Sequence, residues 1–264
     1  MAKFRTKKSL GQHLLISEGV IKKIVDYIDV NNEDVIVEIG VGTGQLTEEI
    51  LRRNPKKLYG IEIDERVYPI VEERLKEYSN FILIKKDYFD VNLREFYEDD
   101  KIKIVGNLPY NVASLILIDT AFYIDIIRFN IFMIQKEVAE KLVAKPKTKS
   151  YSFMSVFLQT FFNTKYLMSV PPRFFSPPPK VVSAVVKLSP KEKLPIPFDK
   201  IKDYKKFVSD MFSHRRKMLK SKINPNILEM ANIKPTARAE ELSVEDFIKL
   251  FNVYFVNINA LNIQ

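Results

Sequence analysis

Residues 34–47 read Asp-Val-Ile-Val-Glu-Ile-Gly-Val-Gly-Thr-Gly-Gln-Leu-Thr. A β-branched run passes into three glycines at alternate positions and then into a helix-like segment, which predicts strand, tight turn and helix. The 264-residue chain has only seven glycines, so three within five positions is a concentration that needs a reason. Glycine lets a backbone turn sharply and approach a ligand closely. In an open α/β sheet such a turn lies at the carboxyl end of a strand, where nucleotides bind. A plain strand-to-helix turn is the simpler alternative, and the neighbouring residues must choose between them.

The dinucleotide fingerprint needs glycine where Gln45 stands, and a phosphate-binding P-loop needs a Gly-Lys-Ser/Thr ending that is absent. Glu38, two residues before Gly40, would repel a pyrophosphate; it suits a ligand with an amino group and a sulfonium. Glu62 ends the next run, KLYGIEI (57–63), where a carboxylate can take both ribose hydroxyls. Asp87 ends FILIKKD (81–87), where it can accept from an exocyclic amine. Three acids at successive strand ends point to S-adenosylmethionine rather than to a nicotinamide.

Two further runs, KIKIVGN (101–107) and FNIFMIQ (129–135), continue the series. Between most runs lie segments with helical spacing, such as 64–78 with Val67, Ile70, Val71 and Leu75 on one face. The alternation predicts an α/β fold with a mostly parallel sheet and helices on both sides, over residues 1–190. Residues 164–170 and 181–188 are separated by prolines instead of a helix, which fits an antiparallel hairpin at the sheet edge. Eight of the fourteen prolines fall between Pro171 and Pro197, and KEKLPIPFDK (191–200) reads as a boundary. Beyond it the pattern is helical, over 204–222, 225–232 and 243–254, giving a small all-helical domain over 191–264. Ser243 followed by Asp246 predicts a helix start.

The fourth run ends in Gly106-Asn107-Leu108-Pro109-Tyr110. This offers an amide oxygen, a backbone carbonyl at Pro109 expected to be free of strand pairing, and an aromatic face. An adenine N6 amine is a poor nucleophile because its lone pair is delocalised into the ring. Two acceptors binding both N6 hydrogens favour a pyramidal nitrogen aimed at a methyl group, while Tyr110 stacks on a base swung out of its strand. Such chemistry rests on positioning and needs no catalytic histidine. An Asn-Pro turn closing a strand is the plainer alternative.

Composition sets the outer bounds. Hydrophobic residues make up 46% and charged residues 28%, enough for a full core. Cysteine is absent and His13 and His214 are the only histidines, so neither a thiolate nucleophile nor a metal site is expected. No run is long and apolar enough for a signal peptide or a membrane span, so a cytoplasmic protein is expected. The net charge is +9, yet residues 14–199 hold 26 charges of each sign. Residues 1–13 carry Lys3, Arg5, Lys7 and Lys8 without an acid, and residues 200–222 carry nine bases against Asp203 and Asp210. Two basic segments on a neutral body suggest a polyanion partner; solvated lysine-rich faces are the alternative.

With these residues placed, the sequence resembles the small-subunit rRNA adenine N6,N6-dimethyltransferases, the KsgA family. The resemblance runs from KSLGQHLL (8–15) through EIGVGTGQLT (38–47), GNLPYNVAS (106–114) and IQKEVAEKL (134–142). It continues through PPRFFSPPPKVVSAVVKL (171–188), FSHRRKMLKS (212–221) and ARAEELSVEDFIKL (237–250), covering all but about the last dozen residues. It implies a Rossmann-like S-adenosylmethionine methyltransferase domain acting on two adjacent adenosines near the 3′ end of small-subunit rRNA. The implied partner is a pre-ribosomal 30S particle, with a monomeric enzyme and a role in small-subunit assembly. It places His13 and Leu15 over the cofactor, Gly40 and Gly42 at the loop, Glu62 on the ribose and Asp87 on the adenine amine. Asn107 would face both cofactor and target base, within a catalytic set of Asn107, Leu108, Pro109 and Tyr110. Phe175 would be a second stacking aromatic, with Phe174 its neighbour. Lys8, Arg215, Arg216, Lys217 and Lys220 are the expected RNA contacts, the two arginines adjacent on a helix. Met218, Ser221 and the glycine-free Tyr151-Ser-Phe-Met-Ser depart from the family's usual residues. An Erm-type enzyme acting on large-subunit rRNA and a non-catalytic assembly factor are the alternatives; the last two motifs favour KsgA over Erm.

Overall fold

The computed structural model describes residues 13–214 and 216–261. The five runs read from the sequence form strands β2 (Val35–Ile39), β3 (Lys57–Glu62), β4 (Phe81–Lys85), β5 (Ile102–Asn107) and β6 (Ile127–Gln135), following a short β1 (Leu14–Leu15). Later come β7 (Phe162–Val170), β8 (Phe175–Ser176) and β9 (Ser183–Pro190). Seven strands make one sheet in the order β4-β3-β2-β5-β6-β9-β7. Strands β2 to β6 pair in parallel, and β9 runs antiparallel to β6. The expected edge hairpin is the β9–β7 pair of neighbours at the end of this order.

The chain winds outward from β2 through β3 to β4, then returns to the other side of β2 as β5. That reversal leaves a crevice at the carboxyl ends of β2 and β5, the usual ligand position in such sheets. Every residue of β2 is buried, as a central strand covered on both faces requires. Helix α1 (Glu18–Ile28) buries Ile21, Ile24, Val25 and Ile28. Its last carbonyls, on Ile28 and Asp29, accept from the buried Lys103 ammonium, which also pairs with Asp34 at 2.5 Å. A cation at a helix C-terminus meets the negative end of the dipole. Helix α2 (Gln45–Leu51) follows the glycine turn, α3 (Tyr68–Leu75) buries Val71 and Leu75 with Val67 buried in the 3-10 turn before it, and α4 (Ala113–Asp119) and α5 (Lys136–Leu142) follow β5 and β6.

The chain divides into two compact units, Met1–Ala139 with Lys165–Pro190, and Glu140–Thr164 with Lys191–Gln264. One of these divisions falls after Pro190. Residues 140–164, expected in the first domain, instead group with the C-terminal helices. The reason lies in α6 (Phe153–Phe161), almost wholly apolar and buried. Its Phe157 and Phe161 pack on Tyr204 of α7 (Ile201–Phe212), and Tyr204 packs on Phe251 of a long C-terminal helix, Val244–Leu261. The Thr160 hydroxyl and Tyr204 phenol bond at 2.9 Å inside this cluster. Ser243 and Asp246 bond reciprocally at the start of the C-terminal helix, as expected. Among the described residues no helix is long and apolar enough to cross a membrane.

Candidate active site

The carboxyl ends of β2, β3 and β5 and the turn after β4 surround one pocket, which His13 and Leu14 of the N-terminal strand help to wall. Gly40, Gly42, Glu62, Asp87, Asn107, Leu108, Pro109, Tyr110 and His13 all line it, so nine residues singled out in the sequence come together. Gly42 has φ +58°, and a Cβ there would stand 3.0 Å from Leu14 Cδ2. A side chain would therefore be strained and would push against the wall. Gly106 serves a different purpose: a Cβ would approach the Ile39 carbonyl oxygen to 2.4 Å, so only glycine lets β5 lie this close to β2.

The Glu62 carboxylate is buried and held by two backbone donors. The Gly42 N–H donates to Oε2 at 2.8 Å and the Asp64 N–H to Oε1 at 2.8 Å. Burial pushes its pKa up, and these N–H groups pull it part of the way back. Each oxygen keeps a further lone pair for a ligand hydroxyl. Asp87 caps the 3-10 turn after β4, accepting from the Phe89 N–H at 3.0 Å, and Phe89 itself lines the pocket while largely exposed.

Asn107 ends β5, and its Nδ2 donates to the His13 carbonyl at 2.8 Å. A carbonyl only accepts, so this bond fixes the amide orientation and leaves Oδ1 as the acceptor for the site. The same logic fixes His13, whose Nδ1 donates to the Pro177 carbonyl at 2.8 Å. Tyr110 is anchored through its phenol to Ser183 Oγ at 2.5 Å, and its ring lies 5.3 Å from the His13 ring at a 32° tilt. Burial raises the Tyr110 pKa, so the phenol stays neutral.

Four expectations need correction. The Pro109 carbonyl is not free: it accepts from the Val112 and Ala113 N–H groups at 3.1 and 3.0 Å, because the helix Ala113–Asp119 starts there and uses it as first acceptor. Leu15 is buried in the core and Leu14 lines the pocket instead. Phe175 is 2% exposed and its ring belongs to the same core cluster as Leu15, so it presents no stacking face. These two share a cause. Strands β1 and β8 pair antiparallel, Leu15 against Phe175 and Leu14 against Ser176, and side chains alternate faces along each strand. Fourth, the helix predicted over 204–222 ends at Phe212. Ser213 Oγ donates to the Asp210 carbonyl, and Lys222 Nζ reaches the same carbonyl and Ser213 Oγ, closing the helix end. Met218 then bridges Arg238 antiparallel, and in the 3-10 turn Leu219–Ser221 the Leu219 and Lys220 N–H groups donate to the Ala237 and Pro235 carbonyls. Arg216, Lys217 and Lys220 are exposed in this turn segment, while Lys8 and Arg215 lie outside the described residues.

Among the pocket residues that the sequence reading missed are Leu14, Ile63 and Phe89. Ile63 and Phe89 each directly follow or nearly follow a strand-end acid, and an apolar side chain there is the signal that marks a shelf for a flat ligand. Leu14 had no such signal, because its register against β8 is a tertiary fact.

A model of the family described as ribosomal RNA adenine dimethylase matches residues 3–255. The chain is 68% identical to "Ribosomal RNA small subunit methyltransferase A" of Persephonella marina, over 97% of this chain and 96% of that one. It is 40% identical to the protein of the same name from Clostridium botulinum, over 94% and 93% of the two. Among solved structures, a dimethyladenosine transferase from Plasmodium falciparum superposes with a TM-score of 0.80 at 26% identity, over 92% of this chain and 97% of that one. The 23S rRNA methyltransferase ErmE shares the fold, with a TM-score of 0.69 at 23% identity over 91% and 98% of the two.

Proposed function

The chain belongs to the ribosomal RNA adenine dimethylase family, and from that premise we propose that it dimethylates N6 of two adjacent adenosines near the 3′ end of small-subunit rRNA. The donor is S-adenosylmethionine. The substrate is the rRNA within a pre-ribosomal 30S particle, met by a monomeric, cytoplasmic enzyme that also takes part in small-subunit assembly. The observation that carries the reading is the Asn107 amide, whose nitrogen is committed to the His13 carbonyl and whose oxygen is thereby turned to the site.

The pocket residues fit the cofactor. Glu62 is a buried, backbone-held carboxylate with capacity for two ribose hydroxyls, Asp87 caps the next strand end beside the exposed Phe89 ring, and Gly40 and Gly42 keep the loop bare. When bound, S-adenosylmethionine supplies a methyl group on a positively charged sulfur. Asn107 Oδ1 accepts one N6 hydrogen of the target adenine. The Pro109 carbonyl is engaged by its helix, so the carbonyl of Leu108, a residue that lines the pocket, serves as the second acceptor. Together they hold the amine so that its lone pair leaves the plane of the base. Tyr110, fixed by Ser183 and flanked by His13, stacks on the base and keeps water from it. Arg216, Lys217 and Lys220, with Lys8 and Arg215, take the RNA phosphates.

The test is to incubate the protein and labelled S-adenosylmethionine with small and large ribosomal subunits lacking these modifications and to map the methylated bases. Two adjacent dimethyladenosines on the small subunit are expected. Label on the large subunit would transfer the reading to an Erm-type enzyme, and small-subunit binding without label would leave an assembly factor.

A further inference from the structure

Glu38 stands in the central strand β2, two residues before Gly40. Its register neighbours are Gly60 on β3 and Val105 on β5, neither of which brings a charge. From α2 comes the Thr47 hydroxyl, and from the end of β3 a second carboxylate, Glu62. None of these groups facing Glu38 is a cation. Glu38 is 1% exposed, and neither its Oε2 nor Thr47 Oγ1 has a hydrogen-bond partner. Glu62 differs sharply, because two backbone N–H groups hold it. An ionised Glu38 is disfavoured twice, by lost hydration and by the like charge of Glu62. Burial foremost, then Glu62, push its pKa up to about 8 against a partial lowering by Thr47.

We propose that Glu38 is the charge-selecting residue of the cofactor site: protonated in the cofactor-free protein, it gives up its proton when a sulfonium-bearing cofactor binds and keeps it when the ligand is the neutral thioether. The proposal deepens the cofactor reading above and rests on it. Glu38 directly precedes Ile39 and Gly40, which line the pocket, and acts through its field, which a low-dielectric interior screens weakly. The proton balance is simple. The Glu38 carboxyl releases one proton to solvent, and the remaining carboxylate is the counter-charge of the sulfonium. After transfer the sulfur is neutral, that stabilisation is gone, and Glu38 takes a proton back from solvent. The preference for methylated cofactor over spent product therefore grows as pH rises toward about 8. Product is released because the site no longer finds the charge it is built to balance.

Calorimetric titration of the full chain with S-adenosylmethionine and with S-adenosylhomocysteine, in buffers of different ionisation enthalpy from about pH 6 to 7.5, reads the protons released. The wild type is expected to release more protons with the sulfonium than Glu38→Gln does, and its affinity for that ligand to rise more steeply, by up to about tenfold per pH unit. With the thioether the two proteins should match. Equal proton release by wild type and Glu38→Gln with both ligands would overturn the proposal and leave the cofactor reading standing. Failure of the wild type to bind S-adenosylmethionine would sink both together. Should Glu38→Gln not fold, carbon-13 NMR of wild type labelled at glutamate carboxyls decides the matter. A carboxyl protonated at neutral pH that ionises on adding the sulfonium but not the thioether supports the proposal, and a fully ionised set before addition overturns it.

Discussion

The pocket at the strand ends and the basic segment over residues 213–222 use polar side chains in opposite ways. In the pocket, Glu62 is gripped by Gly42 and Asp64 N–H groups, Asn107 by the His13 carbonyl and Tyr110 by Ser183. In the basic segment, Arg216, Lys217 and Lys220 stand exposed, and Lys222 turns back to its own helix end. Methyl transfer needs an amine held to a fraction of an ångström, so its acceptors are preorganised by backbone. Phosphate contact needs charge density, and mobile cations on long stems supply it without fixed geometry. One region should therefore respond to the loss of a single atom group, and the other only to the loss of several charges.

The largest effect expected is on stability, and it separates the regions by pH. A carboxyl with a raised folded-state pKa is protonated in the fold and ionised in the unfolded chain between the two values. Its contribution is complete below the ordinary carboxylate range and is lost as pH rises toward about 8. Denaturant melts of the ligand-free protein should lose up to about 5 kcal/mol across that window through Glu38 alone. Glu38→Gln should flatten the profile, whereas alanine at Arg216, Lys217 and Lys220 should leave its shape intact.

Next comes Asn107→Ala, which removes a preorganised acceptor and should slow transfer on the order of 10²–10³-fold with RNA binding and melting nearly unchanged. Single-turnover methylation checks this, and activity within a few-fold of wild type would break the contrast. Replacing Arg216, Lys217 and Lys220 together by alanine should weaken subunit binding by up to about a hundredfold at 0.15 M salt and flatten the log–log salt slope by up to about three contacts' worth. Cofactor affinity should not move, and parallel salt plots would show the segment to be a solvated face. Glu62→Ala should weaken S-adenosylmethionine binding by about 2 kcal/mol, roughly thirtyfold, since it removes charge-assisted bonds to two hydroxyls. Smallest of all, Phe175→Leu should lower stability by about 1 kcal/mol while leaving the rate of transfer close to wild type. A large fall in rate without a fall in melting temperature would restore the stacking role that its burial denies.

The sequence by itself determined the sheet, the pocket's place at its carboxyl edge and most of the residues around it. Those features are local: a strand ends where β-branched residues give way to glycine or Asn-Pro, and a parallel sheet must present those ends on one side. Gly40, Glu62, Asp87 and Asn107 were readable because each sits at such an end. Tertiary structure alone decided the facing of Leu14 and Leu15 and of Phe175 and Ser176. A strand's side chains alternate, and only the pairing of β1 with β8 sets which set turns inward. It also decided where α7 stops, because the periodicity beyond Phe212 remains helical in the sequence while Ser213 and Lys222 close the helix and residues 218–220 find backbone partners at 235–238. Glu38 divides the two kinds of knowledge: its acidity beside the glycine loop was visible in the chain, but its burial with Oε2 unpartnered depends on what the folded sheet packs around it.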